Sequence, residues 1–318
     1  MTGVLLFNKK PGISSFKSLY PIKKALKTPK VCHTGTLDSF AEGLLVLLIG
    51  RAVKLSSCFT GCDKHYRALL RFGEETDTLD PYGTIIARAP VPQQEQIKAA
   101  LPLFTGEILQ APPGFSAIHI NGKRAHELAR AGIAFEIKKR PVSIYSLSLF
   151  SFNPPYAELL VHCSSGTYIR SLARDIALTL GSRAHLRTLT RTHIGNFSLE
   201  NAISLPMENM ENLENNDESN GKVIREAIMP LDRVLFAKLD IPCINIDMQT
   251  ADSVSHGGDL ELIKKGLPDF SSIVQNKEKN TLIALFGPES FAALIEQKAG
   301  LWKYRFVYSQ TGGKNADY

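Results

Sequence analysis

The sequence lacks the features that typify membrane and secreted proteins. No stretch of its 318 residues reaches the roughly 18 unbroken apolar residues of a membrane span. The opening MTGVLLFNKKPG places its apolar run ahead of its lysines, the reverse of a secretory signal, and has no small-residue cleavage site. We therefore expect a cytoplasmic protein without membrane contact.

Cysteine is scarce, and its spacing matches no disulfide framework. The chain has an odd number of cysteines, at positions 32, 58, 62, 163 and 243, which favours free thiols in a reducing compartment. Cys58, Cys62 and His65 would supply three zinc ligands, but no second CxxC or HxxxH motif offers a fourth. Packing of small residues at a helix end is therefore the preferred interpretation.

Basic and acidic residues are not evenly distributed. The net charge is +6, and the segment 207–220, MENMENLENNDESN, holds five acids and no base. The rest of the chain sets 37 basic residues against 26 acidic ones. Such a surplus favours a polyanionic partner, because lysine and arginine gain affinity by displacing counterions from phosphates. Many proteins with a pI near 9 bind no nucleic acid, so charge leaves both possibilities open. Segment 207–220 has few apolar residues, which predicts a mobile insertion.

The hydrophobic pattern predicts a mixed α and β fold. Residues 64–72 alternate, with Tyr66 on the apolar face, as in a half-buried strand. Strands are expected over residues 3–7, 64–72, 84–87, 156–163, 185–197 and 302–308, and helices over residues 15–27, 93–104, 167–180 and 223–235. Residues 110–140, with the hairpin signal Asn121-Gly122, form an irregular stretch long enough to indicate a function. A domain boundary is expected near Ala237.

Asp38 is the main candidate for catalysis. It follows the turn HTGTL without a second carboxylate beside it. A single carboxylate can act as nucleophile, general base or electrostatic stabiliser if another group keeps it charged and aimed. Arg170, in SSGTYIRSLARD, has the rigid guanidinium fork for that task. An aspartate in a turn is usually a cap, and an arginine near a helix start usually lies on the surface, so the residues alone leave this role open.

Tyr66 and His33 also have two interpretations. Tyr66 is either a core residue or an aromatic that stacks on a nucleobase, a contact worth about 1–3 kcal/mol per base. His33 is either a hydrogen-bonded surface histidine or a wedge that fills the gap left by an extruded base.

Four segments, in order, carry a resemblance to a known family. They read HTGTLDSFAEGLLVLLIGRAVKL from residue 33, DKHYRALLRFGEETDTLDPYG from residue 63, QAPPGFSAIHINGKRAHELAR from residue 110, and CSSGTYIRSLARDIALTLGSRAHLRTLTRTHIGNF from residue 163. They resemble the motifs of the TruB family of tRNA pseudouridine synthases, and the resemblance covers roughly residues 3 to 200.

The resemblance implies an α+β fold with a mixed, largely antiparallel central sheet flanked by helices and loops. The catalytic domain would span residues 1–237, with a thumb-like insertion at 110–140 that grips RNA and an acidic insertion at 207–220. Residues 238–318 would form a small, mostly β, PUA-like RNA-binding module.

The resemblance also implies the reaction and its residues. Asp38 would be the catalytic aspartate, Arg170 its ion-pair partner, and Tyr66 the residue that stacks on the base and is positioned for proton removal at C5. The implied substrate contacts are Lys9, His33, Tyr168 and Leu189. The enzyme would convert the T-loop uridine at position 55 of tRNA to pseudouridine by base flipping, as a monomer, without metal, organic cofactor or obligate protein partner.

Some positions depart from the family pattern, and rival functions remain. Ser39-Phe40 replaces Pro-Leu, Cys32 replaces a glycine, Lys10-Pro11 shifts a proline by one place, and His119 and His126 stand where lysine and tyrosine are common. None removes a group that the reaction needs. The rivals are a noncatalytic RNA-binding or tRNA-folding protein on the same scaffold, an RNA-guided relative that works inside a multi-protein particle, and a carboxylate hydrolase, which the missing second carboxylate disfavours.

Overall fold

A computed structural model describes residues 1–116, 118–120, 122–133, 135–205, 217–260, 263, 281–298 and 301–308. Its strands are β1 (Gly3–Lys9), β2 (Val31–His33), β3 (Glu42–Ile49), β4 (Lys64–Phe72), β5 (Glu74–Thr76), β6 (Ile85–Arg88), β7 (Gly106–Gln110), β8 (His119–Ile120), β9 (Lys123–Arg124), β10 (Arg140–Asn153), β11 (Tyr156–Cys163), β12 (Ala184–Ile194), β13 (Phe197–Ser198), β14 (Cys243–Asn245), β15 (Leu282–Phe286), β16 (Phe291–Lys298) and β17 (Leu301–Val307). Its α-helices are α1 (Leu19–Ala25), α2 (Ser56–Thr60), α3 (Gln94–Ala100), α4 (Ala125–Arg130), α5 (Ile169–Thr179), α6 (Asp217–Glu226), α7 (Arg233–Lys238) and α8 (Met248–Ser255).

A mixed sheet forms the centre of the molecule. In the described part of the chain it has nine strands, in the order β1-β3-β12-β4-β11-β10-β7, with β2 beside β3 and β13 beside β12. Strands β3 and β12 run parallel, and the other neighbours are antiparallel. The α+β class and the largely antiparallel sheet expected from the sequence are therefore confirmed.

The apolar side chains that alternate along β4 lie on the sheet face that the main hydrophobic core covers. Ala68, Leu70 and Phe72 are buried there, and Tyr66 packs against the same cluster. Helix α5 lies on this face and buries Ile169, Leu172, Ala173, Ile176 and Ala177. The strand predicted over 64–72 is confirmed, and its outward residues remain half-buried or exposed on the opposite face.

The C-terminal strands pack against the opposite face of β1 and β3. Strands β14 to β17 form a second sheet, in that order. A second core cluster joins Val4, Leu6, Leu44, Val46 and Leu48 of the central sheet to the aromatic residues Phe236, Phe286, Phe291 and Phe306. The final strand expected at 302–308 is confirmed as β17. The division at residue 237 stays a prediction.

Two helix predictions need correction. The helix expected over 15–27 is shorter, since residues before α1 form turns held by Ser14, whose Oγ accepts from the Lys17 N–H at 3.2 Å. The single helix expected over 223–235 is two helices, α6 and α7. Pro230 cannot continue a helix, and Met229 instead pairs with Val4 of β1. No helix among the described residues is long and apolar enough to cross a membrane.

Both expected insertions contain more regular structure than the sequence suggested. Within 110–140, β8 and β9 pair as a hairpin with Gly122 at φ +83°, followed by α4. Asn121 lies outside the described residues. In 207–220, residues 217–220 form the first turn of α6, and the mobility of the segment stays a prediction. Residues 207–216 also lie outside the described residues.

Candidate active site

Asp38 and Arg170 meet as a bidentate ion pair. Asp38 lies in the loop between β2 and β3, and Arg170 lies in the first turn of α5. The Arg170 Nε–H donates to Oδ2 of Asp38 at 2.9 Å, and its Nη2–H donates to Oδ1 at 3.0 Å. The arginine side chain is 6% exposed and the aspartate side chain 35% exposed. The guanidinium therefore fixes the direction of a carboxylate that solvent, and hence a substrate, can reach.

Arg170 is itself held by main-chain carbonyls. Its guanidinium donates to the oxygen of Thr78 at 3.0 Å and to that of Phe115 at 3.1 Å. Thr78 belongs to the turn TDTLDPYG, in which Gly83 packs so closely that a Cβ would lie 2.4 Å from an Asp77 carboxylate oxygen. Arg170 therefore links three parts of the chain, which are this turn, the start of the 110–140 insertion and α5.

Three buried polar side chains hold the loop that carries Asp38. The Lys9 ammonium donates to the carbonyls of residues 10, 13, 39 and 41 at 2.6–3.3 Å. Ser15 Oγ donates to the Leu37 oxygen at 2.8 Å and accepts from the Leu37 N–H at 2.9 Å. Arg191 donates to the carbonyls of residues 35, 36 and 44 at 2.8–3.3 Å. Because fixed side chains bind these main-chain groups of the loop, they hold Asp38 in one position.

Lys9 is placed differently from its expected role in substrate binding. Its side chain is fully buried, with main-chain acceptors around its ammonium group. Burial lowers the pKa of Lys9 to about 8, which the charge of Asp38 partly opposes. Its geometry suits positioning of the Asp38 loop rather than contact with RNA.

Tyr66 lies on the same side of the sheet as Asp38. On β12, Arg191 is its direct cross-strand neighbour. Burial raises the pKa of Tyr66, while the nearby Arg191 charge partly opposes that change. A phenol with a raised pKa is neutral near pH 7, so this residue is suited to stacking and hydrogen bonding more than to acting as a phenolate base.

The remaining expected substrate contacts occupy three different environments. His33 ends β2, and burial, together with the Arg191 charge, lowers the pKa of its imidazole. Tyr168 precedes α5, and its N–H donates to the Gln110 side-chain oxygen at 2.8 Å. Burial raises the pKa of the Tyr168 hydroxyl. Leu189 is 4% exposed and packs in the main core. The roles of these residues stay predictions.

Sequence reasoning missed several residues that build the site. Arg191 could have been identified from the sequence, because it is the last residue of AHLRTLTR within the fourth quoted segment. It is almost completely buried, which indicates a structural role. The structure also requires glycine at position 43. Its φ is +107°, and a Cβ added there would lie 2.4 Å from the Arg191 carbonyl oxygen. Ser15 has no distinguishing sequence pattern, and Gln110 opens the third quoted motif without any sign of its partner, because the partners of the two residues lie 22 and 58 residues away.

Comparison with known proteins assigns the chain to a family. Residues 23–169 match the model of the TruB family pseudouridylate synthase N-terminal domain, and residues 170–236 match the tRNA pseudouridylate synthase B C-terminal domain. The chain is 50% identical over 203 residues to the tRNA pseudouridine synthase B of Borreliella burgdorferi (strain ZS7), covering 63% of this chain and 72% of that protein. It is 48% identical over 209 residues to the protein of the same name from Bordetella avium, covering 64% and 86%.

A solved structure extends the likeness to the whole fold. The structure titled as a Cbf5-Nop10-Gar1 complex aligns with a TM-score of 0.66 and 26% identity, over 93% of this chain and 78% of that one. Both family models meet at the Tyr168-to-Arg170 corner, so the Asp38 loop and its arginine lie in consecutive matched regions. The chain therefore belongs to the TruB family and is a pseudouridine synthase.

Proposed function

We propose that this protein converts the uridine at position 55, in the T loop of tRNA, to pseudouridine. The observation that carries this proposal is the bidentate Arg170–Asp38 pair, which aims one accessible carboxylate from a loop fixed by buried hydrogen bonds. The names of the relatives, tRNA pseudouridine synthase B, support tRNA as the substrate.

Asp38 is the catalytic group of the proposed reaction. The bond between C1′ of the ribose and N1 of uracil breaks, the base turns, and a new bond forms between C1′ and C5. The C5 proton is released to solvent and N1 takes up a proton from solvent, so the product is an isomer of the substrate. The carboxylate acts at C1′, at C6 of the base or on a proton of the sugar. Each alternative needs a charged, aimed carboxylate next to the flipped nucleotide.

The surrounding residues receive the flipped uridine. Tyr66 stacks on the base and orients its C5 edge through a neutral hydroxyl group. Tyr168 and Leu189 border the base, and His33 fills the space that the uridine leaves in the RNA stack. Flipping costs a few kcal/mol, which stacking and phosphate contacts offset.

Lys9 supports the site from beneath. We assign it to positioning the Asp38 loop, since its ammonium group binds the carbonyls of residues 39 and 41, which closely follow Asp38. The T stem-loop instead contacts basic residues of α1 and the basic end of the 110–140 insertion, Lys138 to Arg140.

In this proposal the protein acts in the cytoplasm without a protein partner. A catalytic domain of residues 1–237 and a PUA-like module of residues 238–318 bind tRNA together, as a monomer, and the reaction needs no metal, organic cofactor or obligate protein partner. The solved relative named above is described as part of a complex. Activity of the purified chain on bare tRNA separates these two modes of action.

The experiment that tests this function compares wild type with Asp38→Asn on an unmodified tRNA transcript in EDTA. Pseudouridine is mapped by carbodiimide labelling and primer extension. We expect a stop one nucleotide 3′ of uridine 55 with wild type, and product formation lower by a factor on the order of 10⁴ or more with the variant. Both proteins should bind the transcript comparably.

The alternative function is a noncatalytic RNA-binding or tRNA-folding protein on the same scaffold. It predicts tight tRNA binding with no stop from either protein. Equal product formation by wild type and Asp38→Asn would instead overturn the role of the aspartate.

A further inference from the structure

A cluster of histidines lies on the face of the sheet opposite Tyr66. His65 on β4 is the direct cross-strand neighbour of His162 on β11 and of His193 on β12. The His65 and His162 rings stack with centroids 3.9 Å apart, and the His65 and His193 centroids are 5.0 Å apart. The proposed reaction uses none of these three residues.

A carboxylate completes the cluster. Asp63 immediately precedes β4, and its Oδ2 hydrogen-bonds to Nε2 of His162 and lies 3.8 Å from Nε2 of His65. One ligand atom from each of Asp63, His65 and His162 lies within 4.8 Å of the other two. All three side chains are partly exposed, with 28–40% of their surface open, so an ion can enter from solvent.

We propose that Asp63, His65 and His162 bind a divalent transition-metal ion of the Zn²⁺ type. Two imidazole nitrogens and one carboxylate oxygen, with water completing the shell, are a donor set that Zn²⁺ accepts with bonds of about 2.0–2.2 Å. Harder ions such as Mg²⁺ and Ca²⁺ prefer all-oxygen sites, so the imidazoles exclude them.

The strand register explains why the ligands converge. Antiparallel neighbours directly opposite each other place their Cβ atoms about 4.5–5.5 Å apart on one face of a sheet, close enough for the two imidazoles to turn toward a shared ion. The two imidazoles already lie nearly parallel, 15° apart, and the carboxylate sits at their Nε2 edge. To share an ion, the two stacked rings must tilt so that their nitrogens converge, which is a rotation of side chains on paired strands.

The cysteines nearby are poorer ligands. Burial raises the pKa of the Cys62 thiol, and burial raises that of Cys58 to about 11. Neither thiol belongs to the group of ligand atoms that lie within 4.8 Å of one another, which consists of Asp63, His65 and His162. The site thus shares His65 with the set considered from the sequence, but Asp63 and His162 take the place of the two cysteines.

The ion would tie together the ends of β4 and β11 behind the active site. Tyr66 follows His65 directly on β4, but its side chain points to the other face. We expect the ion to stabilise the fold rather than to take part in the reaction, so the reaction proceeds in EDTA. The metal proposal and the proposed function can consequently fail independently.

The test uses the full chain, freed of metal by dialysis against a chelator. Co²⁺ is titrated and followed by its visible absorption, then displaced with Zn²⁺, and Mg²⁺ serves as the ion that should not bind. We expect one Co²⁺ per chain, no thiolate-to-cobalt charge-transfer band, and a melting temperature that rises with Zn²⁺ concentration. Loss of one ligand, in His162→Gln or Asp63→Asn, should weaken binding by at least about 100-fold.

His256→Gln is the matched control. His256 directly follows α8 and its exposed side chain pairs with a single acid, Asp252, at 3.7 Å, so its removal should leave Co²⁺ affinity unchanged. The proposal is overturned if wild type binds neither Co²⁺ nor Zn²⁺, which would make the cluster a hydrogen-bonded pair only. Equal affinity in wild type and His162→Gln, or a thiolate band, would also overturn it. If a variant fails to fold, the wild-type titration with ring-proton NMR of the histidines decides alone.

Discussion

The Asp38 loop and the C-terminal module are held in place by different kinds of contact. Directional hydrogen bonds from Lys9, Ser15 and Arg191 to main-chain atoms hold the loop. Apolar packing holds the module: aromatic ring centroids lie 4.8–6.2 Å apart in a cluster of Phe236, Phe286, Phe291, Phe306 and Tyr308. Both regions pack against β1 and β3, but from opposite faces.

The two kinds of contact should tolerate amino-acid substitutions differently. A buried hydrogen bond needs one particular donor at one place, and its loss leaves an unsatisfied acceptor. Apolar packing tolerates many side chains of suitable total volume. Polar contacts should therefore control the geometry of the reaction, and the aromatic cluster should control how firmly the module is attached.

The largest expected effect on stability comes from Phe291→Ala in the aromatic cluster. Phe291 is 2% exposed and contacts four other rings, so the cavity should destabilise the protein by about 3–5 kcal/mol. Urea unfolding measures this. Pseudouridine formation in an isolated T stem-loop, well below the melting temperature, should stay near the wild-type rate.

Leu301→Ala is the control for that prediction, because Leu301 lies in the same module and is 61% exposed. It should change stability by no more than about 0.5 kcal/mol. If Phe291→Ala abolished activity while the protein stayed folded, the module would determine the geometry of the active site. That result would contradict the assignment of this geometry to the polar contacts.

Arg170→Lys should have the next largest effect, on the rate. Lysine keeps the charge but cannot form the two parallel hydrogen bonds to Asp38. We expect a fall in the single-turnover rate of about 10²–10³-fold, the range seen for a lost preorganised donor. Release of tritium from uridine labelled at C5 measures the rate, and affinity for tRNA should change little.

Arg174→Lys provides the comparison within the same helix. Arg174 pairs with its neighbour Asp175 at 2.8 Å and donates to the Ala111 carbonyl at 3.4 Å, and neither partner is the catalytic carboxylate, so its replacement should leave the rate near wild type. Equal rate losses in Arg170→Lys and Arg174→Lys would mean that the effect comes from α5 as a whole and not from the two hydrogen bonds between Arg170 and Asp38.

The same contrast explains how much of this structure could be predicted. Four motifs with fixed spacing identified the fold and placed Asp38 opposite Arg170, because directional contacts require particular residues. The module was predicted only loosely, since its aromatic cluster could be built from many sequences. Burial of Lys9 could not be predicted, because its acceptors come from residues 10, 13, 39 and 41 and meet only in the folded chain.

Lys9→Met has the smallest expected effect and separates two roles for this residue. Methionine fills similar space but leaves the carbonyls around residues 39 and 41 without their donor, which should cost about 1–3 kcal/mol of stability. A small displacement of Asp38 should slow the reaction by roughly 10- to 100-fold. The exposed Lys17 supplies the control, Lys17→Met, which should leave both stability and the rate near wild type.

Salt dependence makes the Lys9 experiment decisive. A lysine that contacts a phosphate adds about one unit to the slope of log affinity for RNA against log salt concentration. Because the Lys9 ammonium is fully buried among carbonyls, Lys9→Met should keep the wild-type slope while losing stability and rate. A slope reduced by about one, with stability unchanged, would instead make Lys9 an RNA contact, and the loop would then be held by Ser15 and Arg191.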